Sequence, residues 1–111
     1  MCLMTTMLCA AEREVVIPCD WGNIGATLAD TEAGSDTAVL VVAGSGPTDR
    51  NGNSGLNLNT YCYKMLADGL VNEGFAVLRY DKRAVGASYL PAEEIPHLLF
   101  DDYVEDAARC V

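Results

Sequence analysis

The pattern of apolar and polar residues along the chain predicts four strands, two of them from alternation and two from continuous apolar runs. Residues 12–19 (EREVVIPC) are typical of a strand, and residues 24–31 (IGATLADT) alternate as a return strand would after the turn DWGN. Residues 37–43 (TAVLVVA) form a continuous β-branched run, and residues 75–80 (FAVLRY) form a second apolar run. Runs without alternation predict strands that are buried on both faces, as in a parallel sheet.

The 3.6-residue periodicity predicts a helix between these two apolar strands. Asn59 or Thr60 can cap it, because their side chains can accept from free backbone N–H groups, and Gly74 is a natural stop. Positions at i, i+3, i+4, i+7 and i+8 define one packing face. These positions are Cys62, Met65, Leu66, Gly69 and Leu70.

A second helix is predicted over residues 100–111, after a proline-containing linker. Its first turn carries Asp101 and Asp102, which suit the positive end of a helix dipole. The predicted fold class is therefore α/β, with an antiparallel hairpin leading into a right-handed parallel βαβ unit.

Composition narrows the class of protein. The chain has 111 residues, of which 50% are apolar, and a net charge of −9. It is long enough for one core, it is too apolar to be disordered, and it lacks the basic surface that nucleic-acid binding requires. No apolar run is long enough to span a membrane.

The spacing of the cysteines does not indicate a metal site. The five cysteines form no C-x-x-C pair, so we predict free thiols rather than a zinc site or a disulfide framework.

Residues 1–11 are largely apolar and end in small residues, but they lack a positive n-region. We interpret them as a signal-peptide remnant of an exported protein, periplasmic or secreted. The alternative is a frayed terminus on a cytoplasmic protein.

Two loops leave the carboxyl ends of the apolar strands, where open α/β sheets bind ligands. They cover residues 44–53 and 81–88. The first begins like G-x-G-x-x-G, but its sixth position is Asp49, which would repel a pyrophosphate, and the helix starts too late to face the loop. A nucleotide site is therefore disfavoured and is kept as an alternative.

The same loop suits an oxyanion hole. Backbone N–H groups in a turn with few side chains can meet the negative charge that develops on a carbonyl oxygen during acyl transfer. Small residues let a substrate approach the backbone, and Pro47 would stiffen the turn.

Three segments resemble the N-terminal part of the α/β-hydrolases, above all bacterial carboxylesterases and serine-aminopeptidase-like hydrolases. They are AGSGPTDRNGNS (43–54), YKMLADGLVNEG (63–74) and VLRYDKRAVGAS (77–88). The resemblance implies that Ser45 and Gly46 offer backbone N–H groups to the oxyanion. It also implies that Gly44 and Pro47 contact a small ester substrate. Finally, it implies a structural turn containing Asp81, Lys82 and Arg83, with no cofactor and no metal.

The chain departs from the family pattern in three places. Ala84 stands where the family usually has glycine and would be strained if φ is positive there. Asn51 stands where aspartate is common. No G-x-S-x-G nucleophile elbow occurs, because GNSGL (52–56) and GASYL (86–90) each fail at the last position.

The missing elbow shapes the functional expectation. We interpret residues 12–111 as a partial hydrolase domain whose nucleophile, acid and histidine would lie beyond Val111, and we expect the chain alone to be inactive. The alternatives are a non-catalytic binding module or pseudo-enzyme, and a peptidase or amidase of the same superfamily.

Several polar residues could be mistaken for catalytic groups. Ser45 lacks an adjacent base, because the only histidine, His97, lies in the linker. Asp101 and Asp102 are explained by the start of the helix. The remaining candidates are Asp49, Arg50, Asn51 and Asn53. Their side chains are expected to hold their own loop through hydrogen bonds to its backbone, and an ion pair between Asp49 and Arg50 is a further option.

Overall fold

The structure, a computed structural model, describes residues 11–55 and 57–111. The signal-like segment predicted over residues 1–11 lies outside that range, apart from Ala11, which is the first residue of a strand. Cys2 and Cys9 lie outside it as well.

The predicted strands and helices are present, with ends that agree to within two residues. In chain order the elements are β1 (Ala11–Cys19), β2 (Gly22–Asp30), β3 (Ala38–Val41), β4 (Asn53–Ser54), β5 (Leu58–Asn59), α1 (Cys62–Asn72), β6 (Ala76–Tyr80), a 3-10 helix (Ala92–His97) and α2 (Phe100–Cys110). The short β4–β5 ribbon, which lies within the loop after β3, was not predicted.

Four strands form one sheet in the order β1-β2-β6-β3. The hairpin pairs Ala11 with Asp30 in antiparallel register, and β2 also pairs antiparallel with β6. Strands β3 and β6 are parallel, with Val39 opposite Val77. The predicted fold class, an antiparallel hairpin leading into a parallel βαβ unit, is confirmed.

The two apolar strands differ in burial. All residues of β6 are buried except Leu78, which is half-buried. Strand β3 lies at the edge of the sheet described here, and only Val41 of its four residues is buried. The prediction of a strand buried on both faces is therefore right for β6 and wrong for β3.

The helices cover opposite faces of the sheet. Helix α1 packs Ala67 and Val71 on a cluster that includes Val41 and Val77. On the other face, residues of α2 lie against a second cluster centred on Tyr80. Side chains that alternate along each strand therefore enter two different cores.

The predicted packing face of α1 is wrong except at Leu70, which packs against the core. Met65 is 67% exposed and Leu66 is 51% exposed, whereas Ala67 and Val71 are buried. Tyr63, Ala67, Leu70 and Val71 fit the same i, i+4, i+7, i+8 spacing, so periodicity alone could not choose between the two faces.

In the part of the chain that the structure describes, no helix has the length and apolar character needed to cross a membrane.

Candidate functional site

The turn after β6 is built around the carboxylate of Asp81. Its Oδ1 accepts from the Arg50 amide at 2.8 Å, and its Oδ2 accepts from Arg50 Nη2 at 3.0 Å and from the Ala87 amide at 2.9 Å. Arg50 also donates to Glu14 at 2.6 Å. Asp81 therefore ties the turn to the loop after β3. Arg50 pairs with Asp81 and Glu14, and not with Asp49, the option left open above.

Arg83 joins the same turn to α2 on the other face of the sheet. Its Nη2 and Nε donate to the two carboxylate oxygens of Asp106 at 2.7 and 2.9 Å. Trp21 Nε1 donates to Asp106 at 3.0 Å, and the Arg83 guanidinium lies 4.7 Å from the Trp21 ring centroid. The hydrogen bonds that Arg83 donates to Asp106 are the chief cause that raises the pKa of the Arg83 guanidinium.

The backbone of the turn needs unusual dihedral angles. Ala84 has φ of 73°, so the strain expected at this departure from the family pattern is present. Gly86 has φ of 52°, and a Cβ there would lie 2.5 Å from Asp81 Oδ2. The Ser88 hydroxyl donates to the Asp81 carbonyl at 2.6 Å and accepts from the Gly25 amide at 3.0 Å. These contacts support a structural role for Asp81 in this turn, as predicted for it.

The loop after residue 47 is held in part by its own polar side chains, as expected for Asp49 and Asn53. The side chains of Arg50 and Asn51 instead bond outside the loop, and Asn51 Oδ1 accepts from Arg79 Nε at 3.3 Å. Asp49 Oδ1 accepts from the amides of Asn51 and Asn53 at 2.8 and 3.0 Å. Asn53 Oδ1 accepts from the Tyr61 amide at 2.9 Å, and Thr60 Oγ1 accepts from the Cys62 amide at 3.3 Å. This part of the loop is therefore braced against the start of α1.

Residues 44–47 are exposed and are held at Gly44 and Gly46. The Gly44 amide donates to Tyr63 Oη on α1 at 3.3 Å. Lys82 Nζ donates to the carbonyls of Gly44 and Gly46, at 2.7 Å in the second case. Gly46 has φ of 83°, a conformation that favours glycine.

These anchors leave two backbone donors free. No backbone carbonyl of residues 11–55 and 57–111 accepts from the amide of Ser45 or Gly46. The two amides predicted to meet an oxyanion are therefore among those that the described residues of the loop do not use internally.

An apolar cleft of about 520 Å³ lies at this end of the sheet. Residues 44–47, Tyr80, Lys82, Leu98 and Phe100 are among the residues that line it. Burial raises the pKa of Tyr80 to about 12, so its phenol stays neutral. Burial also lowers the pKa of the Lys82 ammonium.

The residues doubted as catalytic groups are not assembled into a catalytic set. Ser45 is exposed on the loop, and His97 is exposed at the end of the 3-10 helix. Asp102 accepts from the Leu99 amide at 2.8 Å, which is the helix-start role expected for it. Among the described residues, no three His, Cys, Asp or Glu side chains come together as a metal site would require.

Sequence reasoning missed Lys82 as a contact of the loop. The only signal was its place in the second loop at the carboxyl ends of the strands, and its target lies 36 to 38 residues away in the chain.

No family model, no curated protein and no solved structure matches this chain.

Proposed function

We propose that this chain supplies the oxyanion-binding portion of an α/β-hydrolase that acts on carboxylic esters. The observation that carries the proposal is the pair of free amides at Ser45 and Gly46, held beside an apolar cleft at the carboxyl end of β3.

The chemistry follows from the position of the loop. In α/β-hydrolases one oxyanion donor comes from the loop between the third strand and the first helix, and residues 44–47 lie in that connection here. A backbone N–H group fixed before the reaction stabilises the tetrahedral intermediate without reorganising. Gly44 and Pro47 would line the approach of the acyl group, and the apolar cleft suits an ester with an alkyl chain.

The rest of the machinery is not among these residues. The sequence has no G-x-S-x-G segment and only one histidine. In the proposal, the nucleophile, acid and base come from sequence outside the 111 residues. The chain alone should therefore not hydrolyse p-nitrophenyl esters.

The test is a titration of the ¹⁵N-labelled chain with hexyl methylphosphonate, a stable tetrahedral anion with an alkyl tail. The amide signals of Ser45 and Gly46 should shift and saturate. Hexanol, which fills the cleft without an anion, should leave the Ser45 amide unchanged.

Two glycine variants form a matched pair for this titration. Gly46→Ala puts a Cβ at positive φ in open space and should weaken binding. In Gly55→Ala the added Cβ also lies in open space, but φ is not positive there and Gly55 does not line the cleft, so binding should persist. A wild-type chain whose Ser45 and Gly46 signals ignore the phosphonate would contradict the proposal, as would shifts confined to the surroundings of Arg50.

A further inference from the structure

We propose that Lys82 is a positioning residue that sets the direction of the Ser45 amide. The catalytic meaning of this inference rests on the proposed function, whereas its geometric part does not.

The first step concerns the peptide unit between Gly44 and Ser45. The C=O and N–H of a planar trans peptide point in opposite directions, and the described residues contain no cis peptide bond. When Lys82 Nζ binds the Gly44 carbonyl, the Ser45 N–H must therefore point away from the ammonium. A rotated peptide unit would turn the carbonyl outward and present an acceptor in place of a donor.

The second contact of Lys82 removes no donor from the loop. The Gly46 carbonyl, bound at 2.7 Å, belongs to the peptide unit of Pro47, which has no N–H group. Lys82 thus holds the loop at both ends of the Ser45–Gly46 pair while leaving both amides free.

Gly44 needs such a constraint because glycine occupies many backbone conformations at similar energy. Tyr63 Oη accepts from its amide at 3.3 Å and fixes the preceding peptide unit. Lys82 fixes the following one. Neither contact alone determines both dihedral angles of Gly44.

The base of the Lys82 side chain is itself held in place. Its neighbours Asp81 and Arg83 form ion pairs at 3.0 and 2.7 Å with Arg50 and Asp106. In the described ranges Lys82 itself has no carboxylate within ion-pair distance, whereas Lys64 pairs with Asp68 at 3.1 Å. The ammonium of Lys82 is therefore available to the two carbonyls.

The experiment measures the carbonyl ¹³C shifts of Gly44 and Gly46 in the ¹³C,¹⁵N-labelled chain. Lys82→Met keeps the apolar stem and removes the donor, so both carbonyl signals should move in the direction of a lost hydrogen bond. Lys82→Arg, which can also donate to two carbonyls, should restore them in part. Lys64→Met, an equal change on α1, should leave both signals at their wild-type positions.

The phosphonate titration is then repeated on each variant. Hydrogen bonds to a charged group contribute enough that a misdirected Ser45 amide should weaken binding by about 10- to 100-fold in Lys82→Met. Lys82→Arg should recover part of the affinity, and Lys64→Met should match the wild type.

The outcomes separate the two proposals. If Lys82→Met leaves both carbonyl shifts unchanged, the positioning role is wrong. If binding is lost while the shifts stay, Lys82 contacts the anion directly, and the positioning role is again overturned. If the shifts move but the wild-type chain binds no phosphonate, the positioning role stands and the oxyanion proposal fails.

Discussion

Two loops leave the same end of the sheet and differ in how they are held. In the turn over residues 81–88, Asp81, Arg83 and Ser88 are buried and each has a partner outside the turn. Residues 44–47 are all exposed and depend on Tyr63 and Lys82. The loop rich in charged side chains is the scaffold, and the loop poor in side chains is the one with free backbone donors.

The largest expected effect comes from removing Asp106, the residue of α2 that pairs with Arg83 of the scaffold turn. The Arg83 side chain is 10% exposed and that of Asp106 is 2% exposed, so Asp106→Ala removes the nearest carboxylate from a buried cation and leaves only Asp102, at 3.7 Å. The loss should be about 3–5 kcal/mol of unfolding free energy, measured by urea denaturation.

The matched control for Asp106→Ala is Glu105→Ala, at the neighbouring exposed position on the same helix. It should change stability by less than about 0.5 kcal/mol. An equal loss in the two variants would mean that the Arg83–Asp106 pair does not anchor the turn.

A glycine substitution in each loop compares the two directly. In Gly86→Ala the new Cβ meets Asp81 Oδ2 at 2.5 Å and also adopts positive φ, so we expect a loss of about 2–4 kcal/mol. In Gly46→Ala only the dihedral strain applies, because nothing lies within 4 Å, and the loss should be about 1–2 kcal/mol.

Urea midpoints of both glycine variants, with Gly44→Ala as the reference, test this order. A larger loss in Gly46→Ala than in Gly86→Ala would show that the exposed loop is the more tightly constrained of the two.

Local features of the fold were predicted correctly from the sequence, whereas features that depend on distant contacts were not. The strands and helices were predictable because apolar periodicity is local, and β6 is buried as its uninterrupted apolar run indicated. Burial of β3 and the packing face of α1 were mispredicted, because both depend on which other element covers them. That information is absent from a single window of sequence.

The candidate site shows the same difference between local features and long-range contacts. Ser45 and Gly46 could be proposed from composition and resemblance, because the loop follows an apolar strand. The partners of Arg50 and Lys82 could not be proposed, since Asp81 lies 31 residues from Arg50 and the choice among nearby carboxylates requires the folded chain. Long-range pairing is thus the part that sequence reasoning missed.

A smaller effect is expected at Ala84, the strained residue of the scaffold turn. Its φ of 73° is unfavourable for a residue with a Cβ, so Ala84→Gly should stabilise the protein by up to about 1 kcal/mol, after the entropic cost of glycine. Ala87→Gly, in the same turn but without a positive φ, should instead destabilise it by about 0.5–1 kcal/mol. Thermal unfolding of the two variants would show opposite shifts, and a lower midpoint in Ala84→Gly would refute the strain argument.

The smallest effect concerns Glu14, the exposed end of the Arg50 network. The Thr27 hydroxyl, which donates to Glu14 at 2.9 Å, and the Arg50 guanidinium lower the pKa of Glu14. A carboxyl whose folded pKa is lowered stabilises the protein above its ordinary pKa, and this contribution disappears as the pH falls through the lowered value. Because the side chain is 74% exposed, the gain should be less than about 1 kcal/mol.

Glu14→Gln should therefore be slightly less stable than the wild type at neutral pH and equal to it in strong acid, when urea midpoints are followed from neutral pH to below pH 4. Glu32→Gln, in the exposed turn after β2, serves as the control. A difference between Glu14→Gln and the wild type that does not change with pH would show that the charge of Glu14 contributes nothing to the Arg50 network.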